Sequence, residues 1–241
     1  MCGRASLAKT NPDEIADQLD ADVDPRAREG WKPRYNLAPT QRSVIVVPSG
    51  GRRLIEPATW GWKRIVGPPR ADGRPMEKLV INAMAETATD KAMFKKAMRE
   101  RRAVMPVTGY YEWTGPPKDR RPVHFFARDG QLLLLAALWA EEKDAEVPAF
   151  MVLTTAANPV VSGIHHRMPV IIPAARLDEW LHEGGADLLA ALPASKRVNG
   201  GYEGPECWDA TDESADEKAR VALQAALALF PPPAGGPGAA G

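Results

Sequence analysis

The chain has 241 residues, with 31 Lys and Arg balanced by 31 Asp and Glu and 44% hydrophobic residues, the composition of an ordinary globular protein with a sizeable core. At zero net charge the whole-molecule field announces no polyanionic partner, so an anionic ligand needs a local basic patch. The two cysteines, Cys2 and Cys207, lie at opposite ends, which excludes a disulfide framework, and no His or Cys spacing suits zinc, so neither metal nor cofactor is expected.

Arg4, Lys9, Asp13 and Glu14 interrupt the amino-terminal segment, which therefore does not read as a hydrophobic leader. The longest apolar run, Leu132 to Ala140, is too short to span a bilayer. A cytoplasmic protein without membrane contact is expected.

In chain order, Asn11-Pro12-Asp13-Glu14 offers an N-cap, proline at the first helical position and an acid three residues after the cap, predicting a helix to about Leu19. Between Pro33 and Pro39, the segment Arg34 to Ala38 reads as a fixed extended loop. Strand composition follows at Val44–Val47, Arg53–Ile55 and Leu79–Asn82. The Gly/Pro/Arg-rich stretch Val66–Pro75 reads as a surface loop. A helix is predicted over Asp90–Arg101, where Met93, Phe94, Ala97 and Met98 form one apolar stripe. Further strands are predicted at Ala103–Val107, Gly109–Trp113, Val123–Ala127, Leu132–Trp139 and Ala149–Thr155. Pro173–His182 and Asp187–Ala190 read as helical. Many short strands without regular β-α alternation predict an α+β domain with a mostly antiparallel, barrel-like core and peripheral helices. Asp212–Phe230 is an amphipathic helix candidate, and Pro231–Gly241 is a Pro/Gly/Ala tail expected to be disordered.

The most informative residue is Cys2, directly behind the initiator Met1. Removal of Met1 would expose a 1,2-aminothiol, with reference pKa values of roughly 7.7–8.0 for the amine and about 8.5 for the thiol. Such a pair condenses with aldehydes, the amine forming a Schiff base that the thiol closes to a thiazolidine. An isolated cysteine at a chain end is more often inert, so position alone does not establish this chemistry. Asn82 suits either a helix cap or a substrate contact. Glu112, in Gly109-Tyr110-Tyr111-Glu112-Trp113, alternates to the face opposite Tyr111 and Trp113. It is either paired with a cation or held with a raised pKa, and the second state suits a proton shuttle. In Ile164-His165-His166-Arg167-Met168-Pro169 the extended conformation before proline predicts that His165 and His166 point to opposite sides, one toward a site and one toward solvent.

Taken in order, Met1-Cys2-Gly3-Arg4, Arg34-Tyr35-Asn36-Leu37-Ala38-Pro39, Asn82-Ala83 with Glu86-Thr87, Gly109 to Trp113, Leu153 to Asn158, Ile164-His165 with Arg167-Met168-Pro169, and Val198-Asn199 with Gly204 to Cys207 resemble the SRAP (SOS-response-associated peptidase) family. The resemblance covers about residues 2–208, leaving 209–230 as a helical extension and 231–241 as the tail. It implies a compact α+β domain that shields abasic sites in single-stranded DNA. Cys2 would be the covalent nucleophile, Asn82 a positioning group, and Glu112 and His165 the proton carriers. Arg4, Asn36, Thr154 and Arg167 would contact DNA. The protein would act as a monomer, remove its own Met1, and could meet a replication or repair partner through 212–230.

Two departures stand out. Met84 occupies the place of a phosphate-binding arginine, and Trp60-Gly61-Trp62 is followed by Lys63-Arg64-Ile65 rather than by a base-stacking wedge. Trp62 is the residue left to stack on a base, and Lys63, Arg64, Arg70 and Arg74 are candidates for the replacement charge. Two other readings stay open: a cysteine peptidase or N-terminal-nucleophile hydrolase, and a binding module that has lost its chemistry.

Overall fold

The computed structural model describes residues 2–9, 11–65, 67–116, 118, 120–127, 129–183 and 198–203. The chain opens with a short strand, β1 (Arg4–Leu7), followed by helix α1 (Asp13–Leu19). Asn11 caps that helix as its sequence predicts, its Oδ1 accepting the Glu14 N–H at 3.0 Å. Then come β2 (Ala21–Val23), α2 (Pro25–Arg28), β3 (Arg34–Leu37), β4 (Arg42–Ser49), β5 (Arg52–Trp60), β6 (Trp62–Ile65), β7 (Glu77–Val80) and β8 (Asn82–Met84). Helices α3 (Ala85–Ala88) and α4 (Ala92–Glu100) lead into β9 (Arg102–Val107), β10 (Gly109–Thr114), β11 (Arg121–Ala127), β12 (Leu133–Ala140), β13 (Ala149–Ala156), β14 (Arg167–Pro169), β15 (Ile171–Ile172) and β16 (Val198–Glu203).

The larger sheet runs β14-β13-β12-β9-β4-β5-β2, with β15 on β12 and β8 on β13. Because β13 also pairs with β5, strands β13, β12, β9, β4 and β5 close into a ring. A second sheet runs β16-β11-β10-β1-β3, and β6 and β7 form a separate ribbon. Pairing is antiparallel except for β13 with β5 and β8, and β2 with β5.

The larger sheet is covered on both faces, which explains why β4, β9 and β12 read as continuous apolar runs rather than alternating ones. Val44, Val46, Val104, Leu134, Ala136 and Leu138 face a layer containing Ile15, Phe94, Met98 and Trp180. The intervening Ile45, Val47, Ala103, Met105, Leu135 and Ala137 face Cys2, Ala5, Tyr110 and Phe125. Each large side chain so buried contributes about 1.5–3 kcal/mol. Arg102, only 7% exposed, donates to the carbonyls of Met98 and Arg99 at the end of α4 and to that of Trp180. This buried cation is satisfied by carbonyls at helix ends, where positive charge is favoured.

The fold is α+β and mostly antiparallel, as the sequence predicts. The stretch 173–182 is helical as predicted, passing from a 3-10 turn at Ala174–Arg176 through Leu177 and Asp178 into a π-type turn at Glu179–Glu183. Two local readings change. Residues 34–37 form strand β3 rather than an extended loop, because Ala5 and Leu7 supply a partner strand. Trp62 is 7% exposed and packs in the core beneath the Arg64 guanidinium, 4.6 Å from its ring centroid, so it offers no face to a base. The predicted helices at 187–190 and 212–230 and the tail at 231–241 lie outside the described residues. Among those described, no helix is long and apolar enough to cross a membrane.

Candidate active site at the amino terminus

Cys2 is positioned by β1, which is wedged between β10 and β3. Arg4 pairs with Tyr111, Ala5 with Tyr110 and Leu37, and Ser6 with Gly109. Beneath this strand lies a buried polar cluster that sequence reasoning missed. Ser6 Oγ is 2.9 Å from His124 Nε2 and 2.9 Å from Thr108 Oγ1. Burial holds His124 neutral, lowering its pKa from 6.5 to about 3. The arrangement favours the tautomer with the proton on Nε2, donated to Ser6, because Nδ1 has no hydrogen-bond partner and a bare lone pair costs less there than an unsatisfied N–H. A Cβ at position 109 would meet His124 Nε2 at 2.2 Å, so the ring can lie over β10 only because Gly109 is glycine. The signal available in the sequence was a lone histidine in the apolar strand Val123-His124-Phe125-Phe126.

Cys2 itself is fully buried. Its carbonyl oxygen accepts a 2.8 Å hydrogen bond from Asn82 Nδ2, and its Sγ lies 4.0 Å from the Arg4 carbonyl. Asn82 opens β8 rather than ending a strand, and its backbone is fixed by parallel pairing with Val152 of β13. Burial, with the Glu112 charge adding, pushes the Cys2 thiol well above its ordinary value, so the sulfur is held protonated.

Glu112 is 2% exposed on β10. Burial pushes its carboxyl up from 4.5 to about 7, against the opposing pull of the chain's terminal ammonium and of His166. Burial and a cationic neighbour thus act on Glu112 together, burial being the larger effect. Tyr110, two residues earlier on the same face of the strand, was also missed. Its hydroxyl is buried without a partner, and burial followed by the nearby Cys2 and Glu112 charges pushes its pKa up.

Burial lowers the His165 pKa, opposed by a hydrogen bond with the Arg167 backbone and reinforced by the terminal ammonium. Its Nδ1 lies 3.0 Å from both the backbone nitrogen and the carbonyl oxygen of Arg167, so the ring can accept from the first as one tautomer or donate to the second as the other. The expected divergence of the two histidines is overturned: the rings of His165 and His166 stack at 4.5 Å with planes 25° apart. The reason is that strand β14 begins only at Arg167, so residues 161–166 turn and strand alternation does not apply to them.

The remaining candidates are dispersed around this centre. Asn36 is buried on β3, and Thr154 is buried on β13 with its hydroxyl donating to the Ala83 carbonyl at 3.3 Å. Arg4 lies at the start of β1. Arg167 is clamped by Glu86 in a two-pronged ion pair, both contacts 2.8 Å, and donates to the Thr154 carbonyl at 2.6 Å. That pair holds the Glu86 carboxyl below the usual range. Glu86, quoted in the sequence only as a motif residue, is thus the group that controls how much charge Arg167 presents. Among the described residues no cluster of His, Cys, Asp and Glu could hold a metal ion.

Known proteins resemble the chain over most of its length. The chain is 30% identical over 192 residues to abasic site processing protein YoqW of Bacillus subtilis, covering 78% of this chain and 83% of that protein. It is 28% identical over 187 residues to abasic site processing protein YedK of Escherichia coli, covering 76% and 80%. A solved structure from Bacteroides thetaiotaomicron superposes with a TM-score of 0.71 at 20% identity, covering 90% of this chain and 99% of that one. The sequence model described as SOS response associated peptidase (SRAP) matches residues 1–199. With that match spanning most of the chain, and with 30% identity to a relative covered over 83% of its length, the chain belongs to the SRAP family.

Proposed function

We propose that the chain, once freed of Met1, captures the ring-opened aldehyde of an abasic site in single-stranded DNA and closes a thiazolidine on Cys2. The observation that carries this reading is the 2.8 Å bond from Asn82 Nδ2 to the Cys2 carbonyl, which fixes the one residue whose amine and thiol must act on the same carbon. Glu112 and His165 both respond to the ammonium one residue before Cys2, which fits proton carriers for the amine that loss of Met1 would expose.

Hydrolysis of the Met1–Cys2 bond consumes one water and releases methionine. The free amine attacks the aldehyde carbon, and the carbinolamine loses its hydroxyl as water with a proton supplied by Glu112. The thiol then adds to the iminium carbon. Its proton returns to Glu112, and the nitrogen becomes the neutral ring amine. The net change is one aldehyde and one aminothiol joined with loss of one water. Because the thiol is protonated in its buried setting, amine attack precedes sulfur closure. A carboxyl near pKa 7 is matched to both donating and accepting at neutral pH.

The test is incubation of Met1-free protein with single-stranded DNA carrying one abasic site. A heat-stable adduct whose intact mass equals the two components less one water is expected, and Cys2→Ala should abolish it while retaining DNA binding. An undiminished heat-stable adduct in Cys2→Ala would overturn the reading.

A further inference from the structure

A cavity of about 540 Å³ opens between the β6–β7 ribbon, β8 and the start of α4. Its walls are mostly apolar, formed by Leu79, Met84, Met93 and Phe94. Met84 is 44% exposed and Leu79 36% exposed, a notable exposure for two large apolar side chains that line one opening. Asn82 lines the same cavity, so the space abuts the residue that holds Cys2. At the rim stand two exposed lysines, Lys78 and Lys91, neither engaged in an ion pair among the described residues.

We infer that this cavity is a slot for the unmodified base adjacent to the abasic nucleotide, with Lys78 and Lys91 meeting the phosphates on either side of it. The inference rests on the abasic-site reading above and adds to it the site where the neighbouring nucleotide sits. The occupant follows from combined chemistry: a flat apolar ring is the part of a single strand that gains from leaving water, and the phosphates that accompany it are what paired cations attract. The volume accommodates a purine. Met84 then serves as an apolar flank of the slot.

The experiment compares crosslinking rates, at subsaturating protein, on strands whose abasic site is flanked by a natural nucleotide or by a base-free tetrahydrofuran spacer, on the 5′ or the 3′ side. The spacer on one side should slow the reaction about fivefold or more, as expected for losing one stacked base, and the spacer on the other side should not. Ala92→Trp, which fills the cavity from α4, should erase that asymmetry. Lys78→Gln and Lys91→Gln should each flatten the dependence of log affinity on log salt by about 0.7. Equal rates on both spacer strands, or an asymmetry that survives Ala92→Trp, would overturn the slot. Should no adduct form on any strand, the Cys2 chemistry fails. The slot is still tested by fluorescence anisotropy, in which undamaged single strands should outbind spacer-containing ones in the natural chain but not in Ala92→Trp.

Discussion

Asn82 donates its side-chain amide to the carbonyl of Cys2 across 2.8 Å, a contact between residues 80 positions apart that joins the start of the chain to a strand buried against β13. The other end of that amide, Oδ1, is buried without a partner. Asn82→Ala removes one neutral hydrogen bond, which contributes about 1 kcal/mol, and should slow adduct formation roughly five- to tenfold. Asn82→Asp puts a carboxylate against the carbonyl oxygen and should be slower still. Single-turnover crosslinking rates check the order; an Asp variant faster than the Ala variant would mean that the amide acts by something other than donating to Cys2.

The Glu112 carboxyl makes stability depend on pH in an uncommon direction. Its folded pKa of about 7 exceeds the ordinary 4.5, so between those values the folded state holds the proton that the unfolded chain releases. The Glu112 contribution to stability therefore falls as pH rises from 4.5 to 7, by about 3 kcal/mol in total, and is flat above. Glu112→Gln should remove this contribution, leaving stability to rise between pH 5 and 6.5 through His124, while lowering the crosslinking rate at neutral pH. Urea midpoints at pH 5 and pH 8 provide the stability measurement, and a variant with the same slope as the natural chain would place the proton elsewhere.

The alternation around Glu112, the apolar stripe of α4 and the runs of β4, β9 and β12 were legible because burial on two faces writes itself into local composition. What was not legible depends on distant partners. Arg4–Leu7 is four residues long and becomes a strand only between Tyr110-Tyr111 and Leu37. Trp62 carries no sign in the sequence of whether it is buried, and the structure spends it on the core beneath Arg64. His165 and His166 looked divergent because the proline was read as extending a strand that in fact starts one residue after them. Cys2, Asn82, Glu112 and His165 stand out by their residue chemistry and local pattern and take their roles from the resemblance, whereas the supporting Ser6–His124 pair has no motif and is seen only in the fold.

That supporting pair gives an opposite pH response. His124 titrates near 3 rather than 6.5, so on acidification the unfolded chain takes up a proton that the folded chain refuses. Stability is then lost as pH falls from 6.5 toward 3, by an amount of order 5 kcal/mol over the whole window. Between pH 4.5 and 6.5 this loss opposes the gain from Glu112, and the natural chain should show a shallow dependence there. His124→Phe, which keeps a ring against Tyr111 and Phe126, should leave only the Glu112 slope. Ser6→Ala strands the His124 N–H and should cost about 1–3 kcal/mol. Denaturation midpoints at pH 4, 5.5 and 7 separate the three proteins, and an acid loss undiminished in His124→Phe would exclude this histidine as its source.

Glu86 and Arg167 set the last expectation. Their two 2.8 Å contacts largely neutralise the guanidinium, and the Arg167 side chain is only 12% exposed while that of Glu86 is 43% exposed. If Arg167 contacts a DNA phosphate, as proposed by resemblance, it does so with a charge already shared. Glu86→Gln releases that charge without removing the side chain that braces it, so single-stranded DNA should bind more tightly at low salt, and the slope of log affinity against log salt should steepen by about 0.7, the increment for one phosphate contact on a single strand. Arg167→Ala in the same background should return the slope to its original value. Anisotropy titrations across about 50–300 mM salt, over which the Debye length falls roughly 2.4-fold, read both effects. A slope unchanged by Glu86→Gln would mean that Arg167 serves to brace the Thr154 carbonyl and the β13–β14 edge, and that phosphate recognition lies with other cations.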